Sequence, residues 1–152
     1  MQILCNLDTS ASEDTGRPKG DVIQQQDLLS CSILIVDDAL PIREIIKAQL
    51  KTAGYKNIDV AIDGLTGLKQ INDNKPDLVI LDIEMPGMNG IEVLKIVRSN
   101  SIFDDMPVIV ETGHDDTDFR NEILKAGATN IISKPLDYEL LLHRVQSHLE
   151  HL

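Results

Sequence analysis

Five polar residues could do chemistry together: the adjacent pair Asp37 and Asp38, then Asp82, Thr112 and Lys134. Counting from Asp38, they stand 44, 30 and 22 residues apart, and each gap is long enough for a helix and a further strand. Carboxylates gathered within ~4 Å repel one another by about 4 kcal/mol per pair at an effective dielectric near 20. A chain keeps such a group where a hard cation neutralises it. Mg2+ takes about six oxygens at ~2.0–2.1 Å and keeps several as water, so two carboxylates, one backbone carbonyl and waters satisfy it. A lysine ammonium adds fixed positive charge, and a threonine adds a hydroxyl donor. That combination suits phosphoryl transfer to a carboxylate. Asp can attack phosphorus covalently, while cation and ammonium offset charge on the phosphoryl oxygens.

The elements that must deliver these groups can be read from apolar runs. Leu78, Val79, Ile80 and Leu81 form an unbroken run that suits a parallel strand covered on both faces. It stops on Asp82, and Pro86, Gly87, Asn89 and Gly90 then turn the chain. Ser32–Val36 is a strand ending on Asp37 and Asp38, followed by Pro41 in the first turn of a helix that carries Ile42, Ile45, Ile46 and Leu50. Ile58–Ile62 is a second, weaker strand, and Leu65, Leu68 and Ile71 mark a short helix. Gly90 leads into a third helix with Ile91, Leu94 and Val97 inward. Pro107–Val110 is a fourth strand ending at Thr112 and Gly113. Asp115, Asp116 and Asp118 favour the start of the next helix, which Gly127 closes. Asn130–Ser133 is a fifth strand, cut off by Lys134 and Pro135, and Asp137 caps a last helix.

Five alternating strand–helix units predict an α/β fold, a parallel sheet with helices on both faces. A flavodoxin-like, doubly wound (βα)5 chain with strand order 2-1-3-4-5 sets the first and third strands side by side. Asp37, Asp38 and Asp82 then converge on the rim where the strands end.

Composition narrows the function classes. The chain has 152 residues, a formal net charge of −11, 42% hydrophobic residues, two Phe, two Tyr and no Trp, so its core must be aliphatic. The acidic balance argues against non-specific binding of nucleic acid through the surface. Cys5 and Cys31 are too few for a framework of bridges and lack metal-type spacing, which makes a reducing interior the simpler setting. The first residues lack the basic and apolar regions of a signal peptide, and no run approaches ~18 apolar residues. The expectation is a soluble, cytoplasmic protein. Residues 1–30 are expected to be a flexible extension, rich in Ser, Thr, Asp, Gly and Pro from Asp8 to Gly20, with a short helix allowed over Val22–Leu29. Residues 31–152 form one domain. The four histidines, including His143, His148 and His151 on the last helix, are expected at the surface, because their spacing does not bring three onto one face beside a carboxylate.

The stretches ILIVDD (Ile33–Asp38), DLVILDIEMPGMNG (Asp77–Gly90), PVIVETG (Pro107–Gly113) and KAGATNIISKP (Lys125–Pro135) closely resemble a response regulator receiver domain, the CheY-like module of two-component signal transduction. The likeness covers about residues 31–150. It implies that Asp82 accepts a phosphoryl group from a histidine kinase or a histidine phosphotransfer protein. It implies Mg2+ bound by Asp38, Asp82 and the backbone carbonyl of Glu84, with Asp37 supporting directly or through water. Thr112 and Lys134 match the family's phosphate-sensing pair, and Pro135 follows the lysine through a cis bond. The implied role is a regulatory phosphoprotein limited to self-phosphotransfer and autodephosphorylation. Its downstream protein target meets the face made by the fourth helix, fifth strand and fifth helix, and it acts as a monomer or a phosphorylation-dependent dimer. Neither a nucleic acid nor a membrane is implied as a direct partner. Glu84 and His114, two residues after Asp82 and Thr112, occupy positions that sit over the phosphoryl group in receivers and tune its hydrolysis.

Two residues depart from the family pattern. Ile131 stands three residues before the lysine, where receivers usually carry Tyr or Phe. Glu111 stands where the strand is usually apolar, and since a buried carboxylate is costly it is expected to face solvent or a partner. Two other functions compete. One is a receiver-like interaction module that works without phosphorylation. The other is an aspartyl-phosphate phosphatase, which would want a second Asp two residues after its nucleophile, where this chain has Glu84.

Overall fold

Each apolar run becomes a strand: β1 Ser32–Val36, β2 Asn57–Ala61, β3 Leu78–Asp82, β4 Val108–Thr112 and β5 Asn130–Ser133. All pair in parallel, in the order β2-β1-β3-β4-β5, the doubly wound arrangement expected from the alternation. The structure is a computed structural model and describes residues 25–152. The expected extension as far as residue 24, with Cys5, Val22 and Ile23, lies outside the described residues.

Six helices are described: α1 Gln25–Leu28, α2 Leu40–Thr52, α3 Gly64–Asn74, α4 Gly90–Arg98, α5 Thr117–Ala126 and α6 Tyr138–Glu150, with a 3-10 turn at Ser101–Phe103. Their starts are set by short polar side chains that accept from otherwise unpaired N–H groups. Asp63 accepts from Thr66, Asn89 from Glu92, Asp116 from Asp118 and Phe119, and Asp137 from Leu140. α2 has no such side-chain bond and carries Pro41 in its first turn instead.

Side-chain alternation along the strands divides the core in two. Leu34, Val36, Val79, Leu81, Val108 and Val110 pack with Ile71 of α3, Leu94 of α4 and Ile123 of α5. Ile33, Ile35, Ile80, Ile109 and Ile132 pack on the other side with Ile46 and Leu50 of α2 and Leu141, Val145 and Leu149 of α6. Leu28 of α1, 2% exposed, joins this second layer. Lys56 N–H donates to Leu29 O at 3.2 Å, so residues 28–30 pack onto the domain. At about 1.5–3 kcal/mol for each fully buried large aliphatic side chain, these two layers hold the sheet rigid. The central strand β3 is buried throughout. Among the described residues, no helix is long and apolar enough to cross a membrane.

One close approach bears on the strand ends. A Cβ on Gly90 would lie 2.6 Å from Asp82 O and 2.8 Å from Ile83 Cα. Only glycine lets α4 start that close to the end of β3.

Candidate functional site

Register builds the site. Val36 of β1 pairs with Leu81 of β3, Asp82 of β3 with Glu111 of β4, and Thr112 of β4 with Ser133 of β5. The isoleucines Ile35, Ile80, Ile109 and Ile132 all face the α2–α6 layer. Two residues beyond each of them come Asp37, Asp82, Glu111 and Lys134, which alternation sends to that same face. Asp37, Asp82 and Glu111 each bring a carboxylate oxygen within 4.8 Å of the others. They are 1%, 2% and 1% exposed.

Glu111 is therefore not the solvent-facing or partner-facing residue that the cost of burying a carboxylate led us to expect. Val108 and Val110 occupy one core layer and Ile109 the other, and Glu111 follows Ile109 inward. Both its oxygens and Asp37 Oδ2 are buried without a hydrogen-bond partner. As two carboxylates, Glu111 and Asp37 cannot donate to each other, whereas one shared proton would bond them. Burial raises the Glu111 carboxyl far above the ordinary glutamate range, and the adjoining Asp37 and Asp82 raise it further.

Lys134 Nζ donates to Asp82 Oδ1 at 2.6 Å, and Glu84 N–H reaches the same oxygen at 3.1 Å. Burial drives the Asp82 carboxyl up to about 6, with Asp37 adding to the rise while Lys134 and the Glu84 amide oppose it. At neutral pH Asp82 is thus mostly ionised. For Lys134, burial lowers the pKa, yet the bond and charge of Asp82, with Glu111 and Glu84, more than reverse this and hold the ammonium above its usual range. Asp37 Oδ1 accepts from Ala39 N–H at 2.8 Å, and its carbonyl accepts from Arg43 Nη1 at 2.8 Å, which ties β1 to α2.

Thr112 follows Val110, so alternation points it to the other face, where it is wholly buried. Its hydroxyl donates to Glu84 Oε2 at 2.7 Å and accepts from His114 N–H at 3.1 Å. Gly113 N–H donates to Glu84 Oε1 at 2.8 Å, and Lys134 Nζ stands 3.6 Å from that atom. The structure thus joins Asp37, Asp82 and Lys134 directly, and Thr112 through the Glu84 side chain. Asp38, which follows Val36 toward the other face, is exposed and lies outside the three-acid group. Sequence reasoning missed the inward Glu111 and the Gly113 amide. The first was signalled by its spacing from Ile109. The second depends on the path of a loop.

The acidic groups suit a hard divalent cation: they offer only oxygen, lie close together, and leave Asp37 Oδ2 buried without a hydrogen-bond partner. His114, His143 and His151 are exposed and His148 is half-buried, in keeping with surface roles. The Lys134–Pro135 peptide is cis, as the resemblance implies. Ile131, 9% exposed, packs into the α3–α5 layer. The groove of about 600 Å3 between α4 and α5, lined by Lys95, Arg98, Asp118 and Lys125 among others, shares no residue with this pocket.

Residues 33–146 match the response regulator receiver domain family. The response regulator MprA of Mycobacterium sp. (strain KMS) is 39% identical over 117 residues, 77% of this chain and 50% of that protein. MprA of Mycobacterium ulcerans (strain Agy99) is 37% identical over 121 residues, 80% of this chain and 51% of the relative. The chain therefore spans about half the length of these curated relatives. Among solved structures, the Francisella response regulator 1452 receiver domain shares 33% identity at a TM-score of 0.74, covering 80% of this chain and 98% of that one. The chemotaxis response regulator CheY4 of Vibrio cholerae shares 32% identity at a TM-score of 0.73, covering 78% and 98%.

Proposed function

This chain belongs to the response regulator receiver family, and from that membership we propose that it is a phosphorylation-dependent switch with Asp82 as its acceptor. The observation that carries the reading is Asp82 itself, a carboxylate ionised at neutral pH, gripped by Lys134 at 2.6 Å and placed at the end of the central strand. Both hydrogen bonds described for Asp82 end on Oδ1. That leaves Oδ2 to attack phosphorus.

The donor is a phosphohistidine on a histidine kinase or a histidine phosphotransfer protein. The new O–P bond forms on Asp82 as the N–P bond breaks, and the histidine nitrogen keeps the electron pair and recovers a proton. Lys134, always charged, neutralises one transferring oxygen. Asp37, Asp38, Asp82 and the Glu84 carbonyl are the residues proposed to hold Mg2+, which when bound supplies further charge neutralisation at the phosphoryl oxygens. For Asp38 to join, its exposed side chain must turn inward.

Phosphorylation adds roughly −1.5 to −2 charge and three acceptor oxygens. Contacts from Thr112 and Lys134 at ~1.5–3 kcal/mol each set an upper bound of ~3–6 kcal/mol, reduced by the bonds these donors already make to Glu84 and Asp82. Moving a two-state equilibrium from 1:99 to 99:1 takes ~5.5 kcal/mol, so these two contacts bias the switch without completing it. Because Ile131 replaces the usual ring, the change passes to the α5–β5–α6 face through packing. A downstream protein reads that face, the chain acting as a monomer or a dimer formed on phosphorylation. Apart from its own phosphotransfer and autodephosphorylation, it catalyses nothing.

Incubation with acetyl phosphate and Mg2+ tests the acceptor. The wild-type chain is expected to take up one acyl phosphate, labile to base and released by hydroxylamine, and Asp82→Asn none. Label that persists in the variant moves the site elsewhere, and a wild-type chain that never takes label favours an interaction module independent of phosphorylation.

A further inference from the structure

Three donors face the place where phosphoryl oxygens would lie beside Asp82, and in the resting chain all three already face a carboxylate. Glu84 Oε2 accepts from the Thr112 hydroxyl at 2.7 Å, Glu84 Oε1 accepts from Gly113 N–H at 2.8 Å, and Lys134 Nζ stands 3.6 Å from Oε1. A carboxylate and a phosphoryl group ask for the same partners: charge-assisted donors directed at oxygen. Each of these N–H and O–H groups has a single proton to give, so Thr112 and Gly113 cannot serve both anions at once.

We propose that the Glu84 carboxylate is a resident occupant of the phosphoryl-oxygen site, an internal anion that a phosphoryl group on Asp82 must displace. The inference rests on the reading of Asp82 as acceptor and adds a regulator to that site. The exchange needs little motion. Glu84 N–H is fixed to Asp82 Oδ1 and Thr112 and Gly113 are held at the end of β4, so only the Glu84 side chain has to swing. That side chain is 33% exposed, and water can take over its hydrogen bonds as it leaves. The backbone carbonyl assigned to the cation stays in place throughout.

Beryllofluoride with Mg2+, a phosphoryl mimic, tests this by isothermal titration and 19F NMR of the full chain. Glu84→Ala is expected to bind it at least tenfold more tightly than wild type, and Glu84→Gln by a smaller factor, since a neutral amide oxygen still accepts. Removing any negative charge near the site would also help an anion, so a second background separates the two causes. In Thr112→Val, where one contested donor is gone, the gain from Glu84→Ala is expected to shrink. Unchanged or weaker binding in Glu84→Ala, or a gain undiminished in Thr112→Val, overturns the proposal while leaving the acceptor reading intact. If neither wild type nor Glu84→Ala binds the mimic, the acceptor reading falls and takes the proposal with it.

Discussion

On the β1–β3–β4 side of the pocket, three carboxyl groups face one another, and Asp37 Oδ2 and both Glu111 oxygens have no hydrogen-bond partner. On the β4–β5 side, Thr112, Gly113 and Lys134 all face the Glu84 carboxylate, and Lys134 also grips Asp82. The acid half is short of positive charge, and the donor half already holds an anion. The two halves therefore take their ligands by different routes. On the proposed function, a cation would fill the first by meeting unmet oxygens, while an anion would enter the second only by exchange. The contrast has a simple origin in the backbone. Asp37, Asp82 and Glu111 share one face because each follows an inward isoleucine by two residues, whereas Thr112 sits on the opposite face and reaches the pocket only at its rim.

The largest effect should come from the residue that joins the halves. Lys134→Met leaves Asp82 buried beside two acids without its ammonium, and breaking a buried pair from one side costs about 3–5 kcal/mol. Urea unfolding without metal at pH 7.5 measures this. A loss below about 1 kcal/mol would mean that the acid half neutralises itself and that the lysine matters only to the donor half.

The same crowding fixes the direction of the pH dependence. Asp82 rises from 3.8 to about 6 on folding, so between those values the native state binds more protons than the unfolded state. Stability contributed by this group is complete below pH 3.8 and is lost as the pH climbs through 6, by about 3 kcal/mol in all. Glu111, raised still further by burial and by its acid neighbours, continues the loss above pH 6. Unfolding free energies in the absence of metal are expected to fall from pH 5 to pH 8. Asp82→Asn should flatten the lower part of that slope, and saturating Mg2+ most of it. A metal-free slope of opposite sign would place these carboxyls in contact with more donors than the acid half contains.

Much of this was legible in the sequence. Short apolar runs punctuated by Pro, Gly and Asp specified five strands, and strict alternation with helices specified that they run parallel. Their order in the sheet, 2-1-3-4-5, is not written in the sequence and was one that fits five units. Asp82 could be placed because the apolar run covered on both faces breaks there, at the end of the central strand. Glu111 was misjudged because the cost of burying a carboxylate was weighed and the two-residue period from Ile109 was not. The same period, counted from Val36, separates exposed Asp38 from buried Asp37. The engagement of Glu84 could not be read in this way. It depends on the turn in which Met85 N–H and Gly90 N–H both return to Ile83 O and Gly87 takes a φ of 76°. Spacing in the sequence does not encode that path.

Glu111→Met probes the acid half alone. It keeps a similar length in an adaptable apolar side chain and removes two buried oxygens without partners, whose burial costs about 1–3 kcal/mol. The metal-free chain is expected to gain stability by that amount at pH 7.5, and the gain over wild type should shrink as Mg2+ is added. An equal gain with and without the cation would show that Glu111 lies beyond the cation's reach and only burdens the fold.

Thr112→Val probes the donor half and should have the smallest effect on stability. Valine keeps the β-branched shape that suits a buried strand end, and it removes one hydrogen bond to Glu84 and one from His114 N–H. Neither partner is stranded. Glu84 is one-third exposed and His114 lies at the surface, so both turn to water, and a net loss of about 1 kcal/mol is expected. On the proposed function the functional cost is expected to be larger, because the hydroxyl that now serves Glu84 would be one of the donors to the phosphoryl group. A variant that unfolds as readily as Lys134→Met would show that Thr112 supports the fold of the whole rim. The donor half would then be structural, and the division between a half that is filled and a half that is exchanged would not stand.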